Sequence, residues 1–177
     1  MTRWFAVLTS VLLGASLLCG AALAQDEVSK PFAVKVGAFR PDSGTWRSDS
    51  TDYWVLTGID YTFNVTPAGG ECVGSLEYGP GKHGNRLWSL QGVYRLREYG
   101  GEGYGRGAYY GAGFGVYFAK VEGADGTSDK VTKVGIPLLA GMDLTSSLFL
   151  EVKYNIVFGK AVGRRLSGFS AALGYRF

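Results

Sequence analysis

Beyond residue 24 the chain falls into short segments in which apolar side chains alternate with polar or small ones. That period of two is the signature of β-strands with two unlike faces. Eight such segments are predicted. The first, Phe32–Arg40, sets Phe32, Val34, Val36 and Ala38 against Lys35 and Gly37. The second, Asp52–Phe63, sets Tyr53, Val55, Thr57, Ile59, Tyr61 and Phe63 against Gly58, Asp60 and Thr62. The third, Cys72–Gly79, opposes Cys72, Gly74, Leu76 and Tyr78 to Ser75 and Glu77. The fourth is Leu87–Arg97, with Trp88, Leu90, Gly92, Tyr94 and Leu96 alternating with Ser89, Gln91, Val93, Arg95 and Arg97. In Ala108–Lys120 the polar face is mostly glycine, at 111, 113 and 115. Val131–Leu144 carries Lys133, Gly135, Gly141 and Asp143 opposite Val134, Ile136, Leu138, Ala140 and Met142. Ser147–Phe158 has Glu151, Lys153 and Asn155 on its polar face, and Phe169–Phe177 has Ser170, Gly174 and Arg176.

The connections carry turn residues, such as Pro41-Asp-Ser-Gly44 and Gly123-Ala-Asp-Gly126. No segment of helical period separates the strands, which argues for antiparallel, up-and-down connectivity rather than βαβ units. The fold class is therefore all-β, an eight-stranded antiparallel up-and-down barrel.

The ends bear on where such a barrel resides. Arg3, the apolar stretch Phe5–Leu18 and the small-x-small triplet Ala22-Leu23-Ala24 have the layout of a secretory signal peptide, residues 1–24. Cys19 also suggests a lipoprotein site, but Leu18 stands where such a site wants a small residue. Removal of residues 1–24 leaves a single barrel domain, 25–177, with 17 Lys and Arg against 15 Asp and Glu. That balance gives no reason to expect nucleic acid. Cys72 is then the one cysteine, so no intrachain disulfide forms, and its expected role is a small apolar strand residue. After residue 24 no apolar run approaches 18 residues, so a membrane span must be made of strands.

Alternation alone allows two opposite folds. A lipocalin-like soluble barrel turns its apolar face inward; a transmembrane barrel turns it outward. Three features favour the second. Gly111, Gly113 and Gly115 suit a cramped interior better than a solvated exterior. Aromatics cluster near the ends of the apolar faces, as interfacial girdles would. The export signal also accompanies an apolar face that runs through Leu173 and Tyr175 to the final Phe177. The interior then holds Lys35, Asp60, Glu77, Arg95, Arg97, Lys133, Asp143, Glu151, Lys153 and Arg176. A lone buried ion costs several kcal/mol. A network is therefore expected in which Asp60, Glu77 and Glu151 face Arg95, Lys133 and Lys153. Register should be strongly fixed, because a one-residue slip would put Glu151 and Lys153 in lipid, at about 2–4 kcal/mol for a Lys at the midplane.

Candidate chemistry is sparse. The single histidine, His83, lies in a loop without a nearby nucleophile, and Ser89 is several residues away on a strand. There is no Gly-x-Ser-x-Gly, no metal-ligand spacing and no phosphate loop. No catalysis, metal or cofactor is expected. Pro137 falls mid-strand between Gly135 and Gly141, where it removes a ladder hydrogen bond. It marks either a curvature-adjusting bulge or a lateral seam. Arg47, Arg164 and Arg165 in the loops are candidate contacts for anionic lipopolysaccharide.

With its Ala22-Leu-Ala24 site, eight alternating segments and closing Leu173-Gly-Tyr-Arg-Phe177, the chain resembles the small eight-stranded outer-membrane barrels of bacteria, the OmpA-, OmpX- and OmpW-like group. The resemblance implies that Leu173, Tyr175 and Phe177 form a signal for the barrel assembly machinery. It implies outer-membrane lipid and lipopolysaccharide as surroundings, and both termini in the periplasm. Residues 41–51, 80–86, 121–130 and 159–166 would then face outward. The expected function is a non-catalytic structural or interaction barrel with a salt-bridged interior. The alternative is a narrow conduit for small hydrophobic or lipid-like molecules; a soluble exported ligand-binding barrel is the remaining one. Fold does not choose among them.

Overall fold

The computed structural model describes residues 30–44, 52–66, 69–82, 84–98, 107–122, 128–161 and 163–177. The expectations placed on residues 1–24, Cys19, Arg47 and His83 lie outside these. The eight alternating segments become eight barrel strands: β1 (Phe32–Pro41), β2 (Trp54–Val65), β3 (Gly70–Pro80), β4 (Arg86–Arg97), β5 (Ala108–Glu122), β6 (Ser128–Asp143), β7 (Leu148–Val157) and β10 (Gly168–Arg176). Each pairs antiparallel with its neighbour in sequence, and β10 closes the sheet on β1 from Ala33↔Arg176 to Pro41↔Gly168. Closure gives every barrel strand two neighbours, which is the condition for backbone to sit in lipid. The expected 159–166 loop carries a small ribbon of its own, β8 (Lys160–Ala161) paired with β9 (Arg164–Arg165).

The barrel is inside out relative to a soluble protein. Lys35, Asp60, Glu77, Arg95, Glu151 and Lys153 are each 2–4 % exposed, while Val34, Ile59, Phe114 and Leu173 are about half exposed on the outer wall. Soluble proteins bury the second set and leave the first in water. The lipocalin-like arrangement is thereby excluded for this fold. Outward aromatics form two belts. One, near the chain ends, holds Phe32, Tyr61, Phe63, Tyr110, Tyr175 and Phe177, with Phe32 and Tyr61 ring centroids 4.8 Å apart. The other, at the opposite end, includes Tyr53, Tyr78, Trp88, Phe118, Tyr154 and Phe158. Mostly aliphatic residues, with Phe114 among them, cover the wall between the belts.

Two irregularities shape the sheet. A register shift between Thr62 and Asn64 extends β2 past Phe63, and β3 begins at Gly70, two residues earlier than its alternation suggests. Glu71, expected in a turn, therefore lies on the inner face of β3. The second lies at Pro137. Along β5–β6 the pairs Ala112↔Leu138 and Gly115↔Gly135 hold one register, but none of Gly113, Phe114, Ile136 and Pro137 is paired across that seam. On the other side β6 pairs β7 without interruption, including Ile136↔Ile156 and Pro137↔Asn155. The register is the same on both sides of the lapse, so Pro137 makes a gap in the ladder and not a bulge.

Candidate functional site: the barrel interior

Inward-facing side chains fill the lumen in tiers. Nearest the chain ends, Arg97 grips Glu71 in a two-point contact, Nε to Oε1 at 3.0 Å and Nη2 to Oε2 at 3.1 Å. Its Nη1 pairs with Asp143, whose other oxygen accepts from Arg176 Nη1 at 2.6 Å. The Tyr109 ring sits among these cations, 5.2 Å from the Arg97 guanidinium and 5.4 Å from that of Arg95. Arg176 lies 4.3 Å from the Phe149 ring centre. Flat guanidinium groups stack on aromatic faces, so the rings and cations share this narrow space without an unpaired charge.

The middle tier spans the barrel. Lys35 Nζ, from β1, reaches Asp60 Oδ1 of β2 at 3.0 Å, Glu77 Oε1 of β3 at 2.8 Å and Glu151 Oε1 of β7 at 3.1 Å. Arg95 Nη2, from β4, bridges Asp60 Oδ2 at 2.7 Å and Glu151 Oε2 at 2.9 Å. Lys153 pairs with Glu77 and donates to Gln91 Oε1 at 3.1 Å; Gln91 Nε2 donates to Glu77 Oε2 at 3.0 Å. Ser89 donates to Glu77 and accepts from Gln91. Together the two tiers join five carboxylates, Asp60, Glu71, Glu77, Asp143 and Glu151, to five cations, Lys35, Arg95, Arg97, Lys153 and Arg176. The plug they form is electrically neutral.

The third tier, at the end away from the termini, is apolar. Phe39, Trp54, Leu56, Leu87, Tyr117, Ala119, Val121 and Val157 form one buried cluster. Ala161 of β8 and Leu166 just past β9 complete it, so these parts of the connection between β7 and β10 fold into the mouth of the barrel. Tyr117 donates to Asn155 Oδ1 at 2.9 Å, which satisfies its hydroxyl at the boundary with the charged tier.

The placement of the expected residues is uneven. Lys35, Asp60, Glu77, Arg95, Glu151 and Lys153 meet in one tier, and Arg97 and Arg176 in the next. Lys133, expected opposite the central acids, takes no part in these pairs; Lys35 holds its place. Lys133 is across from Tyr117 at the apolar end, its side chain running beside Gly159. The reason is height, since Lys133 enters the barrel well above the acids of β2, β3 and β7. Gly135 and Pro137 are buried next to the β5–β6 gap, whereas Gly141 lies beyond it under the Tyr109 ring. Leu173 and Tyr175 face outward on β10, paired with β1 and β7, and Phe177 is exposed beside Phe32. Glu71 and the apolar tier were not foreseen. The signal for Glu71 was present, because it keeps the phase of Val73, Ser75 and Glu77. For the tier it was the apolar character of Leu87, Val121 and Val157 on nominally polar faces.

Structural neighbours fit this geometry. The N-terminal β-barrel domain of Pseudomonas aeruginosa OprF is similar with a TM-score of 0.54 and 17 % identity, over 84 % of this chain and 98 % of that one. The Neisserial surface protein A is similar with a TM-score of 0.60 and 14 % identity, over 82 % and 96 %. The chain has the fold of the small eight-stranded outer-membrane β-barrels. At these identities the likeness concerns fold alone. No family model matches the sequence, and no curated protein matches it closely enough to add a function. The interior of this barrel is a neutral ionic plug capped by an apolar tier.

Proposed function

We propose that the chain is a non-catalytic structural barrel of a bacterial outer membrane, delivered by its signal peptide and the barrel assembly machinery and closed to ions and solutes. The observation that carries this reading is the two-part filling of the lumen. An ion crossing it would have to part ion pairs whose members are 2–8 % exposed and then push through a packed apolar layer. Each uncompensated charge left behind costs several kcal/mol. The exposed apolar wall and its two aromatic belts support the membrane setting. Lipid and lipopolysaccharide are its expected surroundings.

The test is single-channel recording on the folded protein in planar bilayers. Silent membranes, with protein present and its gel mobility still heat-modifiable, are the expected result. Reproducible openings would overturn the sealed reading, and extraction without detergent would overturn the membrane one.

One observation favours a second reading, lateral passage of small hydrophobic molecules through the wall. The β5–β6 ladder lapses at Gly113, Phe114, Ile136 and Pro137. If that gap admits a ligand, Pro137→Val, which restores the missing N–H, should slow uptake of an apolar dye into vesicles holding the protein. Equal uptake by both forms removes this reading.

A further inference from the structure

On the outer wall, register sets Arg86 of β4 opposite Lys120 of β5, and Lys120 opposite Lys130 of β6. Three cations thus form one row across three adjacent strands, all in the outward phase. Strands lie about 4.8 Å apart, so the row spans roughly 10 Å. Like charges directly opposite one another destabilise a sheet. The interior avoids this by giving every cation of its plug an acid; here, among the described residues, one ion pair is made by the row, Lys120 with Glu122 at 2.6 Å. Two residues further down β4 and β5 comes an aromatic step, Trp88 and Phe118, continued on β3 by Tyr78, with the Tyr78 and Trp88 rings 4.2 Å apart. Leu76, Leu90 and Val134 continue the wall below it.

We propose that this row binds a phosphorylated lipid headgroup at the membrane surface opposite the chain ends. Phosphate oxygens accept charge-assisted hydrogen bonds from guanidinium and ammonium groups together, and this turns a repulsive row into an attractive one. The aromatic step sits where amphipathic rings meet headgroups, and the aliphatic wall beneath receives the acyl chains. A soluble phosphate would use the cations and leave that wall idle. The inference rests on the membrane-spanning reading and gives it a specific lipid contact.

The folded chain in an uncharged detergent is titrated with dioleoyl phosphatidic acid, phosphatidylcholine and inorganic phosphate, and read by tryptophan fluorescence, since Trp88 adjoins the row. Phosphatidic acid should bind at least about tenfold more tightly than the other two probes. The R86Q/K120Q/K130Q variant should lose that preference, and without lipid it should melt at or above the parent's temperature because the repulsion is gone. K133Q/K160Q, which removes two cations at the same end but off the row, should bind as the parent does. If the triple variant does not fold, K130E alone should still weaken phosphatidic acid binding. Equal binding by the row variants and the parent overturns the site. Inorganic phosphate as tight as the lipid reduces it to a free-anion site and also overturns the proposal. Loss of heat-modifiable mobility in the parent would instead indicate failure of the membrane reading.

Discussion

Glu151 shows how much one side chain holds here. Its oxygens meet Lys35 at 3.1 Å, Arg95 at 2.9 Å and the Tyr109 hydroxyl at 3.4 Å, joining β7 to β1, β4 and β5. Glu151→Ala leaves two buried cations one partner short, so a loss of about 3–5 kcal/mol is expected in urea unfolding from lipid or detergent. A loss under about 1 kcal/mol would mean that water reaches the tier and screens it. Glycine works beside the ions. The Phe149 ring lies over Gly174 and the Tyr109 ring over Gly141, each across a strand pair, and a Cβ at either glycine would strike the ring. Gly174→Val should therefore displace Phe149 from beneath Arg176 and cost about 1–3 kcal/mol by overpacking, with a matching fall in unfolding midpoint. The phase of Glu151 and Gly174 was legible from alternation. Which cation each acid meets was not, because that depends on strand stagger around the closed sheet.

At the scale of elements, β5 and β6 are the longest strands and yet the pair with the gap. Pro137 was legible as an interruption; that it opens toward β5 and not β7 was not, since sequence does not say to which neighbour a strand residue's N–H points. Pro137→Val should restore a ladder bond worth about 0.5–1.5 kcal/mol, seen as slower amide exchange at Gly113 and Phe114 and a higher unfolding midpoint. Unchanged exchange there would mean the gap is set by strand curvature and not by the missing donor. The β2–β3 hairpin gives the complementary case. The irregularity between Thr62 and Asn64 lengthens β2, and β3 starts early enough to bring Glu71 inside, where it meets Arg97. Bulges leave only weak marks in sequence, so the edges of elements were less legible than their centres.

For the molecule as a whole, the decisive property is the exchange of inside and outside. Five acids balance five cations in the buried plug, while aromatic belts and aliphatic residues cover the wall. A barrel of eight strands has an interior just wide enough for side chains to fill, so filling and closure are one property. Neutrality of the plug predicts that removing a single lower-tier charge, as in Arg97→Met, destabilises more than removing the pair in Arg97→Met/Glu71→Leu. Recovery of at least half the lost unfolding free energy in the double variant is expected, because the lone buried carboxylate is gone. No recovery would show that Asp143 carries most of the dependence on Arg97.

The sequence by itself determined the number of strands, their order, the faces they present and hence the class of barrel. Each of these follows from a local rule, a period of two interrupted by turn residues, and survives an error of a residue or two at the ends. Only the tertiary structure decided that Lys35, and not Lys133, meets the central acids, that Glu71 meets Arg97, that the upper lumen is apolar, and that Arg86, Lys120 and Lys130 share one row. Each of these depends on height along the barrel axis. Alternation fixes which side of the sheet a residue faces; height is fixed by the stagger between strands, and stagger is settled only when the last strand closes on the first.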